Sequence, residues 1–242
     1  MSGERPGSER LGDLDVHLAP SPNFDERTLP VTMIVLHYTG MPDFDGALAR
    51  LRDPQAKVSS HYLVAEDGVV LRLVDEDKRA WHAGKSHWRD WDDVNSASIG
   101  IEIVNPGHEF GYRPFPDAQI DAVVRLVASI KERYSITRGN IVGHSDVAPA
   151  RKRDPGELFP WHSLARLRLA LPRPTKNLMD PHWTESGFLL ALERFGYDVT
   201  DPMAAIMAFQ RRFRPELIDG EIDAECRMIL LALLLPKPQG DE

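Results

Sequence analysis

Residues 98–104 alternate without a break: Ile99, Ile101 and Ile103 project to one side, Gly100, Glu102 and Val104 to the other. A helix does not sort its side chains in this way, so the segment is a strand with an apolar core face. Its second face carries a carboxylate. Residues 31–36 form a short run of apolar and β-branched side chains that predicts a buried strand ending at His37. Residues 60–64 and 69–73 flank Glu66-Asp67-Gly68, a hairpin turn signal. Residues 141–142 predict another short strand, leading to His144. Helices lie between these runs. Residues 45–51 suggest a short one, and Pro116-Asp117 opens a long one to about Tyr134, with Ile120, Val123, Val124, Val127 and Ile130 as its apolar stripe. Strands mixed with helices predict an α/β or α+β domain over residues 28–172.

Residues 1–27 are polar and rich in Pro, Gly and charge, and read as a loose N-terminal arm. Two prolines, Pro172 and Pro174, mark a boundary that continues into a linker over residues 173–179. Beyond it the periodicity is helical only. Phe188, Leu189, Leu192 and Phe195 form one face, ending at Gly196; Ile206, Phe209 and Phe213 form a second; Met228, Leu231 and Leu235 form a third. Asp219-Gly220 marks the turn before the last helix. The expectation is a small three-helix C-terminal domain over residues 180–236.

The net charge of −8 argues against nucleic acid as the main partner, because phosphate binding needs a basic face. Cys226 is the only cysteine, which excludes an intramolecular disulfide and a cysteine-rich metal site. Any metal must be held by His, Asp, Glu or water. The longest apolar run, residues 228–235, is too short to span a membrane. The N-terminus lacks the apolar core of a secretory signal, so the expected location is the cytoplasm; the alternative is the periplasm or envelope, with a leader removed. The chain is expected to act as a monomer.

Three segments carry the chemistry. His37 stands at a strand end, Gly143-His144-Ser145-Asp146 follows another strand, and Arg151-Lys152-Arg153-Asp154-Pro155-Gly156 is a turn-rich loop. Strand ends are where distant segments converge on one open site. Two histidines and one carboxylate suffice for catalytic zinc with a position left open. Hydrolysis also needs a base and a cation to hold an oxyanion. Glu102, facing away from the isoleucines, suits the first role, and Lys152 the second.

Six motifs occur in order: Val35-Leu36-His37-Tyr38-Thr39, Ser59-Ser60-His61-Tyr62-Leu63-Val64, Ala80-Trp81-His82-Ala83-Gly84, Ser98-Ile99-Gly100-Ile101-Glu102, Gly143-His144-Ser145-Asp146-Val147-Ala148-Pro149 and Arg151-Lys152-Arg153-Asp154-Pro155-Gly156. Together they resemble the zinc N-acetylmuramoyl-L-alanine amidases of the amidase_2 family, relatives of the peptidoglycan-recognition proteins. The resemblance implies a mixed central sheet flanked by helices. It implies that His37, His144 and Asp154 bind Zn2+, that Glu102 is the catalytic carboxylate and that Lys152 stabilises the transition state. The implied substrate is peptidoglycan or its fragments, cut between the lactyl group of muramic or anhydromuramic acid and L-alanine. Ser60 stands where phage members carry a tyrosine, which leaves Glu102 to act alone. Ala208-Phe209-Gln210 and Asp219-Gly220-Glu221-Ile222-Asp223 resemble a peptidoglycan-binding domain type.

Four further residues are candidate substrate contacts. Trp81 and His82 either line the groove or pack in the core; His61 touches substrate, serves the structure or supports a ligand; Asn95 either bonds substrate or holds a turn. Trp81, Trp88 and Trp91 could form a groove wall. Two competing functions remain. A non-catalytic recognition module would lack a ligand, and here all three are present. A glycosidase needs a second carboxylate partner for Glu102, and none is evident.

Overall fold

The computed structural model describes residues 7–175 and 178–235. Residues 1–6 of the expected arm, 176–177 of the expected linker and residue 236 lie outside the described residues. The chain runs β1 (Ser8–Leu11), β2 (Leu14–Leu18), β3 (Phe24–Glu26), β4 (Met33–Tyr38), α1 (Phe44–Arg52), β5 (Tyr62–Val64), β6 (Val70–Arg72), β7 (Lys78–Ala80), α2 (Val94–Ala97) and β8 (Ser98–Ile103). It continues with α3 (Gly107–Phe110), α4 (Asp117–Tyr134), β9 (Ile141–Gly143), α5 (His144–Val147), α6 (Trp161–Arg166), α7 (Glu185–Phe195), α8 (Pro202–Phe213) and α9 (Ala224–Leu234).

Seven strands form one mixed sheet in the order β1-β2-β6-β5-β8-β4-β9. β4 lies between β8 and β9, parallel to both, and β5 runs parallel to β8 but antiparallel to β6. Buried on both faces, β4 reads as the continuous apolar run Met33-Ile34-Val35-Leu36. The predicted strands, hairpin and long helix all form, and Gly68 supplies the positive φ of 88° at the hairpin turn.

The N-terminal segment corrects the expectation of a loose arm. β1 and β2 form an antiparallel hairpin, and β2 pairs in parallel with β6. Leu14 and Val16 bury their side chains while Asp15 faces solvent, so a short period-two signal inside polar sequence was enough to add two strands. β3 pairs with β7 in a separate ribbon.

Each face of the sheet has its own partner. On one face Ile34, Leu36, Ile99, Ile101 and Ile103 pack against the buried stripe of α4. The other face is divided. On one side Leu63, Leu71 and Val104 meet Leu51 of α1. On the other side Met33, Val35, Trp88, Val142 and Val147 share a single core with Phe188, Leu192, Phe195, Phe209 and Phe213 of α7 and α8. Trp88 is therefore core rather than groove wall. Between these two apolar patches lies a polar strip at the carboxyl ends of β4 and β8, the end at which open α/β sheets bind ligands.

Within the C-terminal helices the motif residues serve the fold. Gln210 donates to Asp219 Oδ1 at 3.0 Å and accepts from Gly220 N–H at 2.8 Å, tying α8 to the turn that precedes α9. Asp201 and Asp223 cap α8 and α9 by accepting backbone N–H groups.

Candidate active site

Parallel pairing of β4 with β8 sets His37 opposite Glu102. His144 opens α5 directly after β9, and Asp154 follows in the next loop. The two loops are stitched together where Ser145 N–H donates to the Asp154 carbonyl at 2.8 Å. His37 Nδ1 and His144 Nδ1 lie 2.9 Å apart, and each is 3.0 Å from Asp154 Oδ2. The structure thus gathers the three expected ligands, all buried, into one group.

The hydrogen bonds around this trio fix which nitrogens carry hydrogen. His144 Nε2 lies 3.1 Å from the Ala83 carbonyl, which can only accept, so the hydrogen is on Nε2 and Nδ1 presents a lone pair. For His37 the argument runs through two more residues. The Ser98 hydroxyl donates to the Val94 carbonyl. Its oxygen therefore accepts from His82 Nε2, 3.2 Å away. His82 Nδ1 is then free to accept from His37 Nε2 at 3.0 Å, which leaves His37 Nδ1 with its lone pair. Burial first, then the neighbouring His144, push His37 down to about 4, so it is neutral at pH 7.

Two nitrogen lone pairs and a carboxylate oxygen about 3 Å apart repel one another, and a divalent cation between them turns that repulsion into attraction. Separations of this size suit metal bonds of about 2.0–2.2 Å. Burial alone would raise the Asp154 carboxyl, but the charge of His144 and hydrogen bonds from His144 and His37, whenever a proton occupies Nδ1, hold it well below the usual carboxylate range. The donor set fits a catalytic metal with one position open.

Glu102 meets the opposite environment. Burial first, then the charge of Asp154, push its carboxyl well above the ordinary range, against the pull of Lys152. Its Oε2 has no hydrogen-bond partner among the described residues. The side chain borders a cavity of about 50 Å³ lined also by Thr39, Met41 and Val58, which is room for water. Lys152 is partly exposed, and its charge bears on both His37 and Glu102.

The four candidate substrate contacts divide. Trp81 is half-buried, and its indole N–H donates to Asp25 at 2.7 Å. His82, His61 and Asn95 are buried in the scaffold beneath the site. His82 orients His37, as above. Asn95 Oδ1 accepts from the backbone N–H of His82 and of Ala83, holding that segment in place. His61 Nδ1 accepts from Gly100 N–H, and its Nε2 faces the Lys78 carbonyl and Arg27. Burial correlates with these bonds because an unpaired polar group there would be costly. The sequence reading missed Ser98, although its two-residue spacing from Gly100 and Glu102 places it on the same face.

Gly100 is where His82 lies against β8: an added Cβ would sit 2.4 Å from His82 Cγ. Gly100→Ala is expected to lower stability by about 1–3 kcal/mol through overpacking. Urea unfolding measures it, and an unchanged midpoint would show that the ring can shift freely.

His61 gives a pH prediction. Burial first, then Arg27, lower it to about 3. Unfolded, it titrates near 6.5. Below pH 6.5 the unfolded chain binds a proton that the folded chain does not, so stability falls by about 1.4 kcal/mol per pH unit down to about pH 3. Above pH 6.5 its contribution is complete. The loss of stability between pH 7 and pH 5 should be about 2 kcal/mol smaller in His61→Gln than in the parent; equal losses would contradict the assignment.

The model of the Amidase_2 family, N-acetylmuramoyl-L-alanine amidase, matches residues 27–157. The amidase AmiD of Escherichia coli (strain K12) is 41% identical over 230 residues, covering 84% of this chain and 82% of that protein. The 1,6-anhydro-N-acetylmuramyl-L-alanine amidase AmpD of Haemophilus influenzae is 34% identical over 167 residues, covering 61% of this chain and 89% of its own length. Among solved structures, E. coli AmiD in complex with anhydro-N-acetylmuramic acid-L-Ala-D-γ-Glu-L-Lys superposes with a TM-score of 0.76 at 40% identity, covering 84% of this chain and 88% of that one. AmpDh3 of Pseudomonas aeruginosa superposes with a TM-score of 0.69 at 33% identity, covering 84% and 91%. The matched region holds His37, Glu102, His144, Lys152 and Asp154 together, and the chain belongs to the Amidase_2 family and is an N-acetylmuramoyl-L-alanine amidase.

Proposed function

We propose that this enzyme uses zinc, held by His37, His144 and Asp154, to hydrolyse the amide between the lactyl carbonyl of anhydromuramic or N-acetylmuramic acid and L-alanine. The observation that carries the reading is the buried trio of two lone-pair nitrogens and a carboxylate beside a second carboxyl, Glu102, whose Oε2 has no hydrogen-bond partner among the described residues. Zinc bound there supplies Lewis acidity, polarising the scissile carbonyl and making water acidic enough to attack near neutral pH. Glu102 takes the proton of the attacking water and delivers it to the departing alanine nitrogen. Lys152 Nζ offsets the negative charge that grows on the carbonyl oxygen. Trp81, half-exposed, borders the bound muropeptide. All ligands and both catalytic side chains come from one chain, so a monomer suffices.

Soluble anhydromuropeptide is the substrate we favour, because E. coli AmiD and P. aeruginosa AmpDh3 have both been captured with such ligands. Its recycling would place the enzyme in the cytoplasm; intact murein is the alternative and would place it in the envelope. No helix among the described residues is long and apolar enough to cross a membrane. Adhesion of α7–α9 to peptidoglycan is a separate proposal, supported by the motif resemblance and tested by co-sedimentation with sacculi.

The test supplies soluble anhydromuropeptide and insoluble sacculi in parallel, with and without chelator, to protein of known metal content. Chelator-sensitive release of free stem peptide is the expected result, and the faster substrate assigns the role. Release that ignores the chelator would overturn the zinc mechanism. No release, with sacculus binding intact, would favour a recognition module.

A further inference from the structure

Two loops present His144 and Asp154, and both are gripped from outside the sheet by the C-terminal helices. Asp146 stands two residues past His144. Its Oδ2 accepts Gly143 N–H at 2.7 Å, closing the turn from which His144 projects. Its Oδ1 accepts the Tyr197 hydroxyl at 2.6 Å. Arg212 Nε lies 3.9 Å from Oδ2, with the guanidinium stacked over the Trp161 ring. The preceding residue, Arg211, points to the other loop, with Nε 3.9 Å from Glu157, three residues past Asp154. The Ser145–Asp154 backbone bond joins the two loops. Asp146, Arg212 and Tyr197 are all buried. A buried carboxylate without a charge partner and donors is costly, so Asp146 holds its place only with the C-terminal helices in theirs.

We propose that these helices are part of the catalytic apparatus: Tyr197 and Arg212 are positioning residues that act through Asp146 to hold the His144 turn in metal-binding geometry. A ligand must be held to within about 0.5 Å to work, and partners one bond removed from a metal commonly set that precision. The helices act from behind the metal site, whatever else their outer surface binds. The inference rests on the metalloamidase reading, and its test separates the two.

The full-length chain is compared with Tyr197→Phe, Arg212→Gln and Ile229→Ala. Tyr197→Phe removes one hydroxyl and keeps the ring against Trp88 and Phe195. Ile229, buried on α9, loosens the same helices without touching Asp146. Zinc affinity is measured by chelator competition, with melting temperature alongside and kcat and KM at saturating zinc. Tyr197→Phe and Arg212→Gln should each weaken zinc binding by about 10–100-fold and lower kcat with KM unchanged. Ile229→Ala should lower the melting temperature and leave zinc affinity within about twofold of the parent. Parent-like zinc affinity in both clamp variants would overturn the proposal. So would equal weakening in Ile229→Ala at a matched loss of melting temperature, because the effect would then be general loosening. A parent chain that holds no zinc would instead overturn the metalloamidase reading.

Discussion

Glu102→Gln is expected to keep one zinc per chain and to lose about 10²–10⁴ in kcat with KM little changed. The substitution preserves volume and removes only the ability to take a proton. Neither carboxyl oxygen of Glu102 belongs to the ligand trio, so the metal stays. The two carboxyls of the site are driven apart by their surroundings. A cation shared among His37 Nδ1, His144 Nδ1 and Asp154 Oδ2 favours the ionised Asp154 carboxylate, which suits a ligand, and Glu102 is lifted by burial and by Asp154, which suits a proton carrier. A divalent cation in the site draws Glu102 back toward the ionised form that accepts a proton from water. Single-turnover release of peptide, with metal content measured on the same sample, reads both halves of the prediction. Turnover within about tenfold of the parent would mean that another group serves as base.

Asp154→Ala is expected to abolish both stoichiometric zinc and turnover. It removes the one anionic ligand of the trio and leaves two imidazole nitrogens 2.9 Å apart. The zinc dissociation constant should rise by more than about 100-fold, beyond the usual effect of losing a supporting residue. The fold should survive: among the described residues the Asp154 side chain reaches only the two histidine nitrogens, and Ser145 is held by the Asp154 backbone carbonyl, which alanine retains. Metal analysis after dialysis, together with an unchanged far-ultraviolet circular dichroism spectrum, checks this. A folded variant that keeps one zinc per chain would remove Asp154 from the ligand set.

The catalytic elements were legible because each depends on a local pattern. The alternation through β8 put Glu102 on the face away from the isoleucines, and the apolar run of β4 delivered His37 to a strand end. The stripe on α4 and the Gly68 turn are likewise written in neighbouring residues. What was not legible depends on partners far away in sequence. His82 carries the motif of a groove residue, yet its role is set by Ser98 and by the absence of a side chain at Gly100. Asp146 looks like part of a turn until Tyr197, fifty-one residues later, reaches it. The hairpin of β1 and β2 was missed because its strands are short and half polar, and gain their place only by pairing with β6. The C-terminal helices were found as helices, but periodicity within a helix does not say what its apolar face covers.

That face covers the sheet, and the arrangement matters before the protein is complete. Synthesis runs from the N-terminus, so β4, Trp88 and β9 emerge well before α7–α9. Until those helices arrive, Met33, Val35, Trp88, Val142 and Val147 have only Ala83, Val94, Ala97 and one another from this core to pack against, and lack the large side chains of α7–α9. About 90 residues separate Val147 from the end of α9, which at about 5–20 residues per second leaves the apolar patch open for roughly 4–18 seconds. The nascent chain therefore passes through an interval in which a chaperone, or a second nascent chain, can compete for the surface its own last helices will cover.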